Sequence, residues 1–598
     1  MTSSENNSGT RAWWASIGLL AAGFLLSGYR MLREAVYPNW QDTEAYLGHS
    51  LYIAEHGGIL GFLRDSFTGA FPITERHPLY MLMLAPFASR TADFFWIAKI
   101  INLALGLVAL LTLIWMVQRR YGRGPALIAG VLYAFSSTLL VASAHVNHES
   151  LFTIFTLWTW WFLTEPTDPA VDGMPATRRW AIAGAFLGLA YLVKSPATLI
   201  GLAIFLAGLW YARLNFLTTP RFWVLLIATG VVSSPLVVRN LIGFGTPVYE
   251  GVNSNIMWLD DWSELGSERS VMHYDRYGIM QVDRNGLPTA GEYLQTHSVG
   301  SIAKRVLKGF YTEIFVVAPR ALAPPFPKLQ VIGQVWGFAL LGLAVAGWWL
   351  RRKSWEAPFV FFWTGLFMLF FGWDHMFPEM RYLAPLVPIW LAYASFVMWT
   401  LAVRFLKPQV TWRVATSGVC AAMLLVSGWT IARGQLTDER PVLAENPSYA
   451  QLLDWMNANI VEGDRVLLGP TSNFYGLLWM VDRPVSVVET PSADNLDTFQ
   501  RYLRERNVRY IVFNTDNARG IGGRLAVALK PYIEVSQQGE IIEKQPLPGW
   551  RTVHQDPSTP RRFIIYESEL VAQRKQGAPA APNPSGGEQM LASKAPNT

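Results

Sequence analysis

Charge is scarce in this sequence. Only 15% of its 598 residues are Asp, Glu, Lys or Arg, against about 25% in soluble domains. With 51% hydrophobic residues and a mean hydropathy of +0.22, the chain reads as a polytopic membrane protein. Cysteine is nearly missing too. The single Cys420 excludes an intrachain disulfide and says little about compartment. The opening run, MTSSENNSGTRAWWASIGLLAAGFLLSG, lacks a small-residue cleavage site and is expected to be a retained first span. No internal repeat stands out, so the two related halves of many transporters are not evident. The net charge of +6 does not point to nucleic acid.

What is abundant is apolar and aromatic. The 26 Trp suit the two membrane interfaces, where one side of the ring is greasy and the other wet. A crossing helix needs about 20 apolar residues. Eleven candidate spans fall near 13–32, 94–117, 125–143, 150–164, 180–193, 196–212, 222–239, 331–350, 357–373, 383–402 and 412–432. HPLYMLMLAPF (77–87) is apolar but short, and is expected to lie at the interface.

Orientation follows from where Arg and Lys fall. With a cytoplasmic N-terminus, the inner loops hold Arg119, Arg120 and Arg123; Arg178 and Arg179; Arg213 and Arg221; Arg351, Arg352 and Lys353; and Arg404, Lys407 and Arg413. Outer loops are then about 33–93 and 240–330, within a membrane domain of residues 1–435. Segment 299–317 is amphipathic, with Lys304, Arg305 and Lys308 set against Ile302, Val306, Leu307 and Phe310, and is expected on the membrane surface.

The remainder reads differently. Helical PSYAQLLDWMNANI (447–460) and DTFQRYLRERN (497–507) alternate with strand-like RVLLGPT, PVSVVE and VRYIVFN. This pattern suggests a small extracytoplasmic α/β domain at 440–568. An Ala-, Pro- and Gly-rich tail, 569–598, is expected to be disordered.

Ionisable residues gather at the outer ends of spans. They are Asp42, Glu44, Arg76, His77, Lys99, His145, His148, Glu149, Lys194, Arg239, Asp374, His375, Glu379 and Arg381. Snorkelling accounts for any one of them. It does not account for acids, histidines and bases mixed at nearly every outer turn. Charge confidently placed at mid-membrane, which an ion-coupled transporter would favour, is not found.

The motifs WQDTEAYLGHSLYIAEHGG, ERHPLYMLMLAPF, HVNHESLFTIF, GLAYLVKSPATLIGL, VVRNLIGFGTPVY and MRYLAPLVPIWLA occur in that order over roughly residues 10–435. In this the chain resembles the GT-C superfamily of polyprenyl-phosphate-sugar glycosyltransferases, in the branch of protein O-mannosyltransferases and lipid A aminoarabinose transferases. The resemblance implies a GT-C membrane domain with about eleven helices, juxtamembrane helices in the outer loops, and a small soluble α/β domain. It also implies transfer of a sugar from a lipid-phosphate carrier to a protein, lipid or glycan acceptor on the outer face, with inversion; as no organelle retention signal is apparent, a plasma (inner) membrane is the expected location. The first-loop acids of the family correspond to Asp42 and Glu44, here separated by Thr43. The Lys-Pro-Pro or His-Pro-Pro motif corresponds to His77-Pro78-Leu79, followed by Tyr80. The acid opening the fourth span, commonly Asp, is Glu149, next to His148. Lys-Gly-Pro corresponds to Lys194-Ser195-Pro196, and the late Arg-Tyr to Arg381-Tyr382.

The chemistry suits those residues. A carboxylate positioned at an acceptor hydroxyl takes its proton as the bond forms, worth about 10²–10⁴ in rate. Asp42 is the candidate base, although Asp is also a favoured helix cap. A phosphate leaving group calls for cations. Lys194, Arg381, Arg239 and Arg76 are the candidates, with His77, Tyr80, His148, Glu149 and Tyr382 as further substrate contacts. Asp42 and Glu44 are also hard-oxygen ligands for Mg²⁺ or Mn²⁺. The competing classes are a flippase or transporter for a lipid-linked sugar, and a non-catalytic relative.

Overall fold

A computed structural model describes residues 3–34, 42–164, 176–251, 253–261, 271–324, 330–373, 379–405, 447–468, 478–488, 495–514, 528–536, 540–557 and 563–572, with single positions 264, 418, 493 and 561. The eleventh candidate span, Cys420, Asp374, His375 and the tail beyond 572 lie outside the described residues.

Long apolar runs become helices. In chain order these are α1 (Ser3–Glu34), α2 (Thr43–Glu55), α3 (Gly58–Thr68), α4 (Pro78–Leu84), α5 (Ala92–Tyr121), α6 (Arg123–Ala134), α7 (Ser137–Ala144), α8 (Glu149–Thr164), α9 (Ala176–Val193), α10 (Ala197–Ala212), α11 (Pro220–Phe244), α12 (Val299–Thr312), α13 (Gln330–Leu350), α14 (Glu356–Trp373) and α15 (Val387–Phe405). Among the described residues seven helices are long and apolar enough to cross a membrane, or eight with one bent pair counted as a span. Helix α5 shows the pattern: its 30 residues reach about 45 Å at 1.5 Å each. It ends in Arg119 and Arg120, whose charge suits the negative end of the helix dipole. Helix α9 packs along α8 and α11, and α13 along α15.

Two expectations need correction. The span expected at 125–143 is two helices, α6 and α7, bent by 62°. Ser136 causes the restart: its hydroxyl accepts from the Leu139 amide and donates to the Ala321 carbonyl. Arg305 is not on the polar face of an interfacial helix. It is buried, donates to the carbonyls of Trp373 and Met257, and lies over the Trp373 ring, while Leu307 is exposed.

The second layer is a seven-stranded sheet. Its strands are β1 (Val271–Tyr274), β2 (Met280–Arg284), β3 (Arg465–Leu468), β4 (Ser486–Val488), β5 (Val508–Asn514), β8 (Trp550–Gln555) and β9 (Phe563–Ser568), in the order β2-β1-β4-β3-β5-β9-β8. A separate two-stranded hairpin joins β6 (Ile533–Val535) to β7 (Ile541–Glu543). Strand β3 is parallel to β4 and β5, and the outer pairings are antiparallel. Helices Pro447–Asn459 and Leu496–Glu505 match the expected α/β alternation. The β1–β2 hairpin comes from the segment between α11 and α12, so the sheet is built from two distant stretches of chain. Leu452, Met456, Leu478 and Trp479 of the C-terminal part belong to the same buried cluster as the membrane helices.

Candidate active site

The start of α2, residues 75–77, the turns α7–α8 and α9–α10, parts of segment 248–280, residues 379–382 and Leu478–Trp479 meet at one end of the helices. There they enclose a cavity of about 900 Å³. Asp42, Glu44, Arg76, His77, His148, Lys194, Arg381 and Tyr382 all line it.

Asp42 precedes α2 and its carbonyl accepts the first helical bond, from the Tyr46 amide. Its side chain makes no capping bond, and its φ of 68° is left-handed. The carboxylate turns instead to two guanidiniums: Oδ1 accepts from Arg76 Nη2 at 2.7 Å and Oδ2 from Arg381 Nη1 at 3.4 Å. Arg381 also pairs with Glu379. Lys194 Nζ is 2.7 Å from Glu149 Oε1, and both Lys194 and Arg381 lie over the Tyr382 ring. His148 Nε2 is 3.5 Å from Glu149, and its Nδ1 meets the Tyr46 hydroxyl. His77 bonds the Tyr191 carbonyl through Nδ1 and faces Glu250 across 3.8 Å.

The two first-loop acids are held in different states. Burial alone would raise Asp42, but the charges of Arg76, Arg381 and Lys194 outweigh it and hold the carboxyl below its ordinary 3.8. Burial first, and the Asp42 charge second, push Glu44 from 4.5 up to about 7. Glu44 Oε2 is buried without a hydrogen-bond partner among the described residues. One carboxyl lowered and one raised within the same cavity is the separation that acid–base sites use.

Three expected site residues do not line the cavity. Tyr80 is fully buried with its ring edge-on to Tyr46. Glu149 lies behind Lys194 and His148. Arg239 is buried over Phe244, and its Nε and Nη1 have no hydrogen-bond partner among the described residues. Sequence alone did not single out Glu75, His49, Glu250, Tyr277 or Trp479. Glu75 stands beside Arg76, but no spacing rule separates it from an ordinary loop acid.

A divalent cation does not fit this donor set. Both Asp42 oxygens are taken by guanidiniums, the Glu44 carboxyl is raised to about 7, and three cations stand close by. Among the described residues no three His, Cys, Asp or Glu side chains are placed to share a metal.

Apolar helices long enough to cross a membrane, with a carboxylate-and-cation cavity at one end, define the class of a multi-pass membrane protein. Residues 76–238 match the family model described as dolichyl-phosphate-mannose-protein mannosyltransferase. The fold is similar to that of ArnT from Cupriavidus metallidurans bound to undecaprenyl phosphate, at 13% identity and a TM-score of 0.51, over 92% of this chain and 97% of that one. A second similar structure is the oligosaccharyltransferase AglB from Archaeoglobus fulgidus with an inhibitory peptide and a dolichol-phosphate, at 13% identity and a TM-score of 0.49, over 90% of this chain and 75% of that one. No curated protein matches the sequence.

Proposed function

We propose that this chain moves a sugar from a polyprenyl-phosphate carrier to an acceptor hydroxyl, with inversion, on the outer face of a plasma membrane. The observation that carries this reading is the placement of Asp42 in one cavity wall with Arg76, Arg381 and Lys194 around it. Basic turns at the opposite helix ends, Arg119–Arg120 and Arg351–Lys353, support a cytoplasmic N-terminus.

In the proposed reaction the acceptor oxygen attacks the anomeric carbon and gives its proton to Asp42. The bond from that carbon to the phosphate oxygen breaks, and polyprenyl phosphate leaves. Arg381 and Lys194 take up the phosphate charge, Arg381 as a fork and Lys194 as a point charge. Cations fixed in a cavity do this without reorganising during the reaction. Glu44, protonated, donates a hydrogen bond to a substrate oxygen.

The test uses the purified protein with polyprenyl-phosphate sugars carrying a labelled sugar. Asp42→Asn is expected to lose about 10²–10⁴ of the transfer rate. Equal transfer by both proteins sinks the base assignment. Label crossing a vesicle membrane with no glycosidic product points to transport instead.

A further inference from the structure

Glu75 precedes Arg76, and its side chain is 5% exposed. Its Oε2 accepts from the Thr74 amide at 3.1 Å and the Thr74 hydroxyl at 3.2 Å. Its Oε1 accepts from the Met280 amide at 3.1 Å and pairs with His49 Nε2 at 3.4 Å. A carboxylate has about four lone-pair positions; the chain's own donors take three of them, and His49 stands beside the fourth. Glu75 borders the cavity, but most of its acceptor capacity is spent within the chain.

The groups it gathers come from three segments. His49 lies on α2, which Asp42 precedes and whose first turn carries Glu44. Met280 opens β2, and the hairpin's other strand, β1, pairs with β4 of the sheet. The Glu75 carbonyl accepts from Arg76 Nη1 at 2.8 Å and from Asn253 Nδ2 at 2.8 Å. The same peptide that the carboxylate anchors therefore aims the Arg76 guanidinium. The same His49 Nε2 lies 3.2 Å from the Gly278 carbonyl, so it stands between that carbonyl and Glu75. The hairpin turn sits so close to α2 that a Cβ on Gly48 would fall 2.2 Å from the Tyr277 carbonyl oxygen. Burial would raise the Glu75 carboxyl, but His49 and the Met280 amide bring it down to about 2, so it stays ionised across the working range.

We propose that Glu75 is a positioning residue that, with His49 and the Met280 amide, sets Arg76 against Asp42 and ties both to the extramembrane sheet. The proposal rests on the reading of Asp42 and Arg76 as reaction-site groups. Without the carboxylate, the 75–76 peptide, α2 and the hairpin lose their shared anchor. A displacement of about 1 Å among aligned groups costs on the order of 10²-fold in rate.

The experiment compares Glu75→Ala and Glu75→Gln in the full chain in detergent. It measures transfer kinetics and, without donor, hydrogen exchange over 42–55 and 271–284. The alanine variant is expected to lose about 10²-fold in kcat, with donor KM within about threefold of the wild type, and to exchange faster in both segments. Glutamine keeps one acceptor oxygen, enough for the Met280 amide or the Thr74 pair but not both, and is expected to fall between the alanine variant and the wild type in rate. Wild-type kcat in the alanine variant overturns the proposal. So does a loss confined to KM, which marks a direct donor contact, or faster exchange throughout the protein, which marks general loosening. If the wild type transfers nothing, the functional reading fails separately. The exchange arm still decides this one, and unchanged exchange in both segments overturns it.

Discussion

Asp42 stands where α2 should be capped, yet its carboxylate meets Arg76 at 2.7 Å and leaves the helix amides alone. The left-handed backbone there costs on the order of 1–3 kcal/mol. The carboxylate is the internal counter-ion of Arg76 and Arg381. Asp42→Asn keeps the shape and tolerates the left-handed backbone, but leaves excess positive charge in the cavity. Inorganic phosphate is therefore expected to raise the melting temperature of the variant more than that of the wild type, by mass action on the folded state. Equal shifts would show that these cations do not form an anion site.

Lys194 and Glu149 test whether stability and activity can be separated. The Glu149 side chain is fully buried and Lys194 is its partner at 2.7 Å. Removing one member of a buried pair costs about 3–5 kcal/mol, because the other charge is left uncompensated. Lys194→Ala is expected to unfold at markedly lower temperature in detergent. Adding Glu149→Gln removes the stranded charge and is expected to restore most of that stability, with transfer still absent. Transfer that returns along with stability would rule out contact between Lys194 and the donor.

Glu44 gives a pH dependence of stability. Its folded value of about 7 lies above the ordinary 4.5. Between those values the folded chain holds the proton more tightly than the unfolded one. Its contribution is therefore complete below about 4.5, declines as pH rises, and is gone above about 7. Glu44→Gln is always neutral and lacks this decline. Wild type minus variant, followed by melting temperature from pH 4.5 to 8, is expected to fall through that window. A flat difference would place Glu44 among ordinary solvated carboxylates.

The helices were legible because membrane spans are written locally: α5, α11 and α14 are long apolar runs ended by Arg, Gly or Trp. The cavity's main charges were legible for a related reason. Asp42, Arg76, Lys194 and Arg381 all follow or precede such runs, so alternation of the spans brings them to one end. The bend at Ser136 was not legible, because its cause is a bond to Ala321, far along the chain. The β1–β2 hairpin was missed because VMHY and MQVDR are short and half polar. Its place is set by β4, more than 200 residues later. Glu75 stayed hidden for the same reason: its partners at His49 and Met280 are distant in sequence.

Arg76, Arg381 and Lys194 lower the Asp42 carboxyl, while burial opposes them, and Glu44 and Glu379 also face the cavity. In the free protein Asp42 is a weak base. A donor phosphate that engages Arg381 and Lys194 takes part of that positive field and brings its own negative charge, so the Asp42 value rises. Only the ionised form accepts the proton, so the rate falls as pH drops through that value. The profile of kcat/KM for donor reports the free protein, and that of kcat the bound complex. The acid limb of kcat is expected at higher pH than the acid limb of kcat/KM. Arg381→Met should raise the limb of the free protein and narrow the gap. Coincident limbs in the wild type would mean that the phosphate leaves the Asp42 pairs intact, and that the proton goes to another group.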